Sequence, residues 1–462
     1  MSRKFFHHQA GRIWRLTCLT GGFLSTLFHP QSSALAGALE DYVGAPDNSF
    51  SWKEEAPAQK AETAFRLEVT SQSWRGHVWQ HEMLVVRPKE FRNRDLAFLF
   101  VTGDEDVMNH LATLTTVASQ GGALAAVINH IPNQPLYDGR KEDALIAYTF
   151  DQFLKSGDKS WPLLFPMVKS AVRGMDTAEA FARKHFGNSL ERFVVSGASK
   201  RGWTTWLTGA VDPRVTAIAP MVIDTLNMKV QTEWAQKMYG RQSEEIQDYV
   251  ELHLTERLDD ARTRELRSWV DPYSYRERYR LPKLLLLGTN DPYWVVDSLR
   301  HYWNELPEPK LVFQTPNAGH DLAGGHQAIP TLAAFFQMVA DRQELPRMTW
   351  TFQTNSPESA SIDVIVHPAA KRFHLWTANS TDRDFRNDKW ASVELPSGDG
   401  THVTGKIEKP AEGFRAYLVE AEMVSPKGLS YKLSSEARVI PDGPPLSKAT
   451  PAAATASPGK TQ

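Results

Sequence analysis

The chain has 462 residues, 41% of them apolar and 23% charged, as expected of a soluble globular protein long enough for two domains. Its formal charge is −2, and without residues 1–36 the body carries 48 basic against 54 acidic residues, a net −6. A mildly acidic body argues against nucleic acid as the main partner.

The head reads as an export signal. Arg3, Lys4, Arg12 and Arg15 precede an apolar run at 16–28, and Ala34-Leu35-Ala36 offers a small-x-small cleavage site before Gly37. That run is too short for a stable membrane span. The expectation is a signal peptide over 1–36 and a mature protein that is periplasmic or secreted. The competing reading is an uncleaved amphipathic start. Cys18 is the single cysteine and lies in this head, so the mature chain would form no disulfide.

Residues 65–70 and 78–86 alternate like half-buried strands, with a turn at 73–77 between them. They predict the antiparallel edge of a larger sheet. Residues 96–102 are a continuous apolar strand, emptying into Gly103-Asp104-Glu105-Asp106. The acidic trio reads as a solvated loop; the alternative is a metal site, although hard cations usually recruit ligands from several segments. A helix is predicted over 111–119, a strand over 123–131, and helices over 142–155 and 164–185.

Next comes Val194-Val195-Ser196-Gly197-Ala198-Ser199-Lys200-Arg201-Gly202-Trp203. A strand, a tight small-residue turn, a Ser and a helix over 204–210 form the layout of a nucleophile elbow. Arg201 stands where the second Gly of Gly-x-Ser-x-Gly is expected, and Gly202 follows one residue late. The elbow makes Ser199 a candidate nucleophile. The backbone N–H of Lys200 is a candidate oxyanion donor, with a second from around Gly103. The bland reading is an ordinary strand-to-helix turn.

Residues 215–223 are the following strand, ending at Asp224. The helical stretch 228–270, within an insertion spanning 225–280, reads as a lid over the site or as a solvated helical pair. Lys283-Leu284-Leu285-Leu286-Leu287-Gly288 is a buried-strand run leading to Asp291. Residues 310–314 are another, leading to His320. Ser199, Asp291, His320 is the Ser…Asp…His order of α/β-hydrolases, each residue behind a strand. Asp224 is the rival acid, one strand earlier. Trp203, Tyr293 and Trp294 flank the site as candidate substrate-binding aromatics, and Trp206 falls on the core face. Arg201 binds either a carboxylate of the protein or an anionic substrate group; the internal pair is the preferred reading. A closing helix is expected over 332–340. Short strand-like runs over 346–440 predict an appended β-sandwich, and 441–462 read as a disordered Pro/Ala/Ser/Thr tail.

Gly197-Ala198-Ser199-Lys200-Arg201-Gly202-Trp203, Ala219-Pro220-Met221-Val222-Ile223-Asp224, Asp271-Pro272-Tyr273 and Gly288-Thr289-Asn290-Asp291-Pro292-Tyr293-Trp294 together resemble the PhoPQ-activated pathogenicity-related protein family, over about 42–439. The resemblance implies an exported bacterial α/β-hydrolase-like protein, tied by its family name to a virulence regulon. It carries over Ser199, Asp291 and His320 as functional positions. Asp104 departs from the small residue expected there.

The expected organisation is an α/β-hydrolase domain over 37–345 with a helical lid, then a β-sandwich-like domain. The expected activity is acyl transfer by a serine hydrolase, either esterase or peptidase, on a small-molecule or peptide substrate. No cofactor or metal is expected. The reading from another class is a non-catalytic envelope protein that binds a ligand on a hydrolase scaffold.

Overall fold

The computed structural model describes residues 37–55, 63–356 and 358–445. The expected signal peptide and the tail from 446 lie outside the described residues.

Nine strands form the central sheet: β1 (Ser51–Glu54), β2 (Ala64–Trp74), β3 (His77–Val86), β4 (Leu96–Val101), β5 (Leu124–Ile128), β6 (Arg192–Ala198), β7 (Val215–Met221), β8 (Lys283–Gly288) and β9 (Lys310–Thr315). Their order is β1-β2-β3-β5-β4-β6-β7-β8-β9. The first three pairs in that order are antiparallel, and β5, β4, β6, β7, β8 and β9 run parallel to one another. An antiparallel edge on a parallel sheet, with β5 and β4 exchanged, is the α/β-hydrolase arrangement.

The apolar runs follow from burial on both faces. In β8, Leu285 and Leu287 join one core while Leu284 and Leu286 join the other, as the two-residue repeat of a strand requires. The helices are α1 (Ala38–Gly44), α2 (Leu111–Gly121), α3 (Glu142–Ser156), α4 (Leu164–Phe186), α5 (Lys200–Val211), α6 (Met228–Tyr239), α7 (Gln247–Glu251), α8 (Ala261–Val270) and α9 (Ala328–Ala340). Side chains of α3, α4 and α5 fill the first core, and those of α2 and α9 fill the second. The elbow helix starts at Lys200, four residues before the predicted 204. Among the described residues no helix is long and apolar enough to cross a membrane.

After α9 the chain forms β10 (Arg347–Ser356), β11 (Ser359–His367), β12 (Arg372–Ser380), β13 (Ala391–Leu395), β14 (His402–Glu408), β15 (Phe414–Val424), β16 (Ser430–Ser434) and β17 (Arg438–Ile440). They make two antiparallel sheets, β10-β11-β14 and β13-β12-β15-β16, with β17 on β15. The second core runs on into them through Ile362, Val364, Val419 and Leu433. Polar side chains stitch the join. Gln314 N donates to Ser434 Oγ at 2.9 Å, and Ala437 N donates to Gln314 Oε1 at 2.7 Å.

Candidate active site

The elbow is strained where the chemistry would need it. Ser199 has φ 57° and ψ −127°, a conformation that L residues hold only when the surroundings enforce it. Its N–H donates to Met221 O at 2.9 Å, and its carbonyl accepts from Trp203 N at 3.0 Å to begin α5. A Cβ on Gly197 would stand 2.8 Å from the Arg201 carbonyl oxygen. On Gly202 it would stand 2.8 Å from the Met221 oxygen and 2.9 Å from the Gly197 oxygen. The crossing of helix and strand therefore demands glycine at 202, not at 201. As the first residue of α5, Lys200 has no carbonyl one turn earlier within the helix, so its N–H belongs to the orphan donors that suit an anion.

Asp291 and His320 sit on neighbouring loops because β8 and β9 pair in register. Gly288 lets the His320 loop pass close, since a Cβ there would stand 2.6 Å from the Gly319 oxygen. Asn290 N donates to Ala318 O at 2.9 Å, and Asn317 N to Thr289 Oγ1 at 3.0 Å. His320 Nδ1 lies 2.9 Å from Asp291 Oδ2 and 3.1 Å from Oδ1. A carboxylate there fixes the proton on Nδ1 and leaves the lone pair on Nε2. The ring stacks on Tyr293 at 4.3 Å. Nε2 is buried, and among the described residues it has no hydrogen-bond partner, Ser199 Oγ included. In substrate-free enzymes such bonds are often long and tighten on binding.

Asp224 lies past β7, buried, and His320 turns to Asp291 rather than to it. Burial pushes the Asp224 carboxyl up to about 7, with the Asp291 and Glu436 charges adding to the shift.

Arg201 is held inside the protein. Its two terminal nitrogens lie 2.7 Å from the two oxygens of Glu142, and Lys200 Nζ lies 3.0 Å from both Glu142 and Asp143. Burial would raise the Glu142 carboxyl, but the Arg201 bond and the two cations hold it down at about 2. The guanidinium lies over Gly103, where a Cβ would stand 2.6 Å from it. The acidic trio is engaged too. Asp104 pairs with His130 at 3.4 Å and Lys141 at 3.6 Å, Glu105 pairs with His110 at 2.9 Å, and Asp106 caps Met108 N at 2.9 Å. A second acidic group, His374, Glu420 and Glu422, has ligand atoms within 4.8 Å of one another on β12 and β15. Lys432 at 2.9 Å and Arg372 at 3.0 Å already neutralise its two carboxylates.

The profile of the PhoPQ-activated pathogenicity-related proteins matches residues 39–386. The chain belongs to that family. It is also similar to autocrine proliferation repressor protein A of Dictyostelium discoideum, at 32% identity over 461 residues, covering 90% of this chain and 92% of that protein. Among solved structures it is similar to an acetyl xylan esterase from Paenibacillus sp. R4, with TM-score 0.45 and 15% identity over 61% of this chain and 86% of that one. A second, acetyl xylan esterase 1 from Thermoanaerobacterium sp. JW/SL YS485, gives 0.44 and 14% over 66% and 91%.

The family stretch Asp271-Pro272-Tyr273 closes the helical insertion on itself. Asp271 Oδ2 accepts from Met228 N at 2.8 Å, and its Oδ1 accepts from Asn227 N at 3.1 Å and Tyr273 N at 3.0 Å. A residue near the end of the insertion thus caps the first turn of α6. Beneath the insertion lies a cavity of about 150 Å³, walled by Ser199, Lys200, Trp203, Tyr293 and Trp294 together with insertion residues such as Leu258. The Trp203 indole N–H donates to Val270 O. That of Trp294 has no partner among the described residues. Sequence reading missed Glu142, Asp143, Asn290 and Asn317; an Asn directly before the acid was the one local signal.

Proposed function

We propose that this family member is an exported serine hydrolase that transfers an acyl group from an ester or amide to water. Ser199 Oγ attacks the carbonyl carbon as its proton passes to His320 Nε2, and Asp291 stabilises the imidazolium that forms. The backbone N–H groups of Lys200 and of the Gly103 loop hold the tetrahedral oxyanion. The proton then goes to the leaving group, the C–O or C–N bond breaks, and water releases the acyl chain from Ser199 by the same steps. The observation that carries this reading is the strained Ser199 elbow standing over the same strand ends as the hydrogen-bonded Asp291–His320 pair.

The cavity lined by Trp203, Tyr293 and Trp294 suits a largely apolar group on the substrate. It leaves esterase and peptidase chemistry both open. That His320 Nε2 has no hydrogen-bond partner among the described residues favours a second reading, a hydrolase scaffold used for binding. Turnover of p-nitrophenyl esters and of peptide p-nitroanilides tests the choice. A folded Ser199→Ala variant should lose about 10⁴-fold or more of either activity. Equal rates in the variant and the wild type would leave the binding reading. Export to the periplasm or medium is proposed on the head alone, and N-terminal sequencing of envelope protein should find Gly37 first; a retained Met1 would contradict it.

A further inference from the structure

Residues 381–390 connect β12 to β13 in the C-terminal sheets, yet they also hydrogen-bond to the loops bearing the acid and the base. Asn290, directly before Asp291, spreads its side-chain amide over three carbonyls of this connection: Phe385 at 3.0 Å, Arg386 at 3.2 Å and Asp388 at 2.8 Å. Asn317, three residues before His320, makes a reciprocal pair with Trp390. It donates to Trp390 O at 3.0 Å and accepts from Trp390 N at 2.8 Å. One short segment thus hydrogen-bonds to both loops.

The segment is itself firmly seated. Phe385 and Trp390 are buried in a separate apolar cluster with Val296, which belongs to the acid loop. Arg383 and Asp297 are both fully buried and lie 2.9 Å apart. Arg386 reaches Pro292 O at 3.4 Å and Glu244 of the insertion at 3.0 Å. An irregular loop has no ladder to hold its backbone, so its position is set by such side-chain contacts. A proton-transfer pair needs its members held to about 0.5 Å.

We propose that the β12–β13 connection is a positioning element of the active centre, setting the Asp291–His320 pair in place through Asn290 and Asn317. This rests on the serine-hydrolase reading. It makes the appended sheets part of the catalytic unit, and it makes Asn290 and Asn317 positioning residues that touch no substrate.

The test uses full-length Asn290→Ala, Asn317→Ala and the milder Arg386→Ala, with Arg372→Ala on the exposed Glu422 pair as control. Proton NMR in water follows the far-downfield His320 Nδ1 line, assigned by its loss in His320→Ala, and needs no turnover. Ester hydrolysis is measured alongside. In folded Asn variants the Nδ1 line should shift or broaden and kcat should fall about 10- to 100-fold, with KM within about twofold of wild type. Arg386→Ala should move both readouts in the same direction by less, and the control should move neither. An unmoved line with wild-type kcat in a folded Asn variant would overturn the proposal. So would two Asn variants that fail to fold beside an Arg386→Ala that behaves as wild type. A wild type in which Ser199 reacts with no substrate or probe would instead sink the hydrolase reading, because the NMR line reports the positioning separately.

Discussion

Arg201 grips both oxygens of Glu142 at 2.7 Å from a position two residues past Ser199. The residue that spoils the familiar elbow motif is therefore an ion-pair partner, fixing the start of α3 to the start of α5. Arg201→Gly would restore Gly-x-Ser-x-Gly, yet it should lower stability. It adds a helix glycine, which costs about 1 kcal/mol, and leaves Glu142 half-served. Glu142 is 38% exposed, so solvent screening limits the lost pair to about 1 kcal/mol more. Thermal melts at pH 7 check this. The folded Glu142 carboxyl is held below its unfolded value of 4.5, so the pair's contribution is present above 4.5 and lost as pH falls toward about 2. The gap between variant and wild type should narrow in that window.

Asp224→Asn separates the acid assignments. Turnover should change little, whereas Asp291→Asn should cost about 10⁴-fold because the imidazole loses its orienting carboxylate. Stability should respond the other way. Burial raises the folded Asp224 carboxyl from 3.8 to about 7, so between these values the native state holds more protons than the unfolded chain and stability falls as pH rises. The gap corresponds to at most roughly 4 kcal/mol. Asp224→Asn should remove that slope and melt higher than wild type at pH 8. A lower melt at pH 8, or the reverse ranking in turnover, would contradict this.

Much of this was legible in sequence because it is local. The leucine run of β8 fits a strand buried on both faces, and the Ser199, Asp291, His320 order follows from three strand ends. What escaped depends on partners far away in the chain. That the turn needs a small residue at 202 was readable; that the crossing group is the Met221 carbonyl was not. In β14 Gly405 breaks the apolar alternation between Val403 and Ile407. A Cβ at 405 would stand 3.1 Å from Ile362 of the neighbouring strand. The acceptors of the Asn290 amide lie 95 to 98 residues on.

Asp271→Ala tests the closure of the insertion. Loss of the cap on Met228 should destabilise the protein by about 1–2 kcal/mol. Because α6 roofs the cavity, KM should rise more than kcat falls. Melting curves and steady-state kinetics on one ester measure both.

Filling the cavity should narrow substrate choice. Leu258→Trp adds bulk to a part of the cavity wall that the insertion supplies. The ratio of kcat/KM for octanoyl over acetyl p-nitrophenyl ester should drop about tenfold or more, while Ser199 stays reactive. An unchanged ratio would remove the cavity from the substrate path.

The central claim is that His320 activates Ser199. The most direct measurement is the rate at which a fluorophosphonate probe labels Ser199 in wild type, Ser199→Ala, His320→Ala and His326→Ala, each shown folded by circular dichroism. Wild type and His326→Ala should label at similar rates. Ser199→Ala should not label, and His320→Ala should label slower by orders of magnitude. Wild-type labelling in folded His320→Ala would contradict the account and leave a hydrolase-like scaffold used for binding.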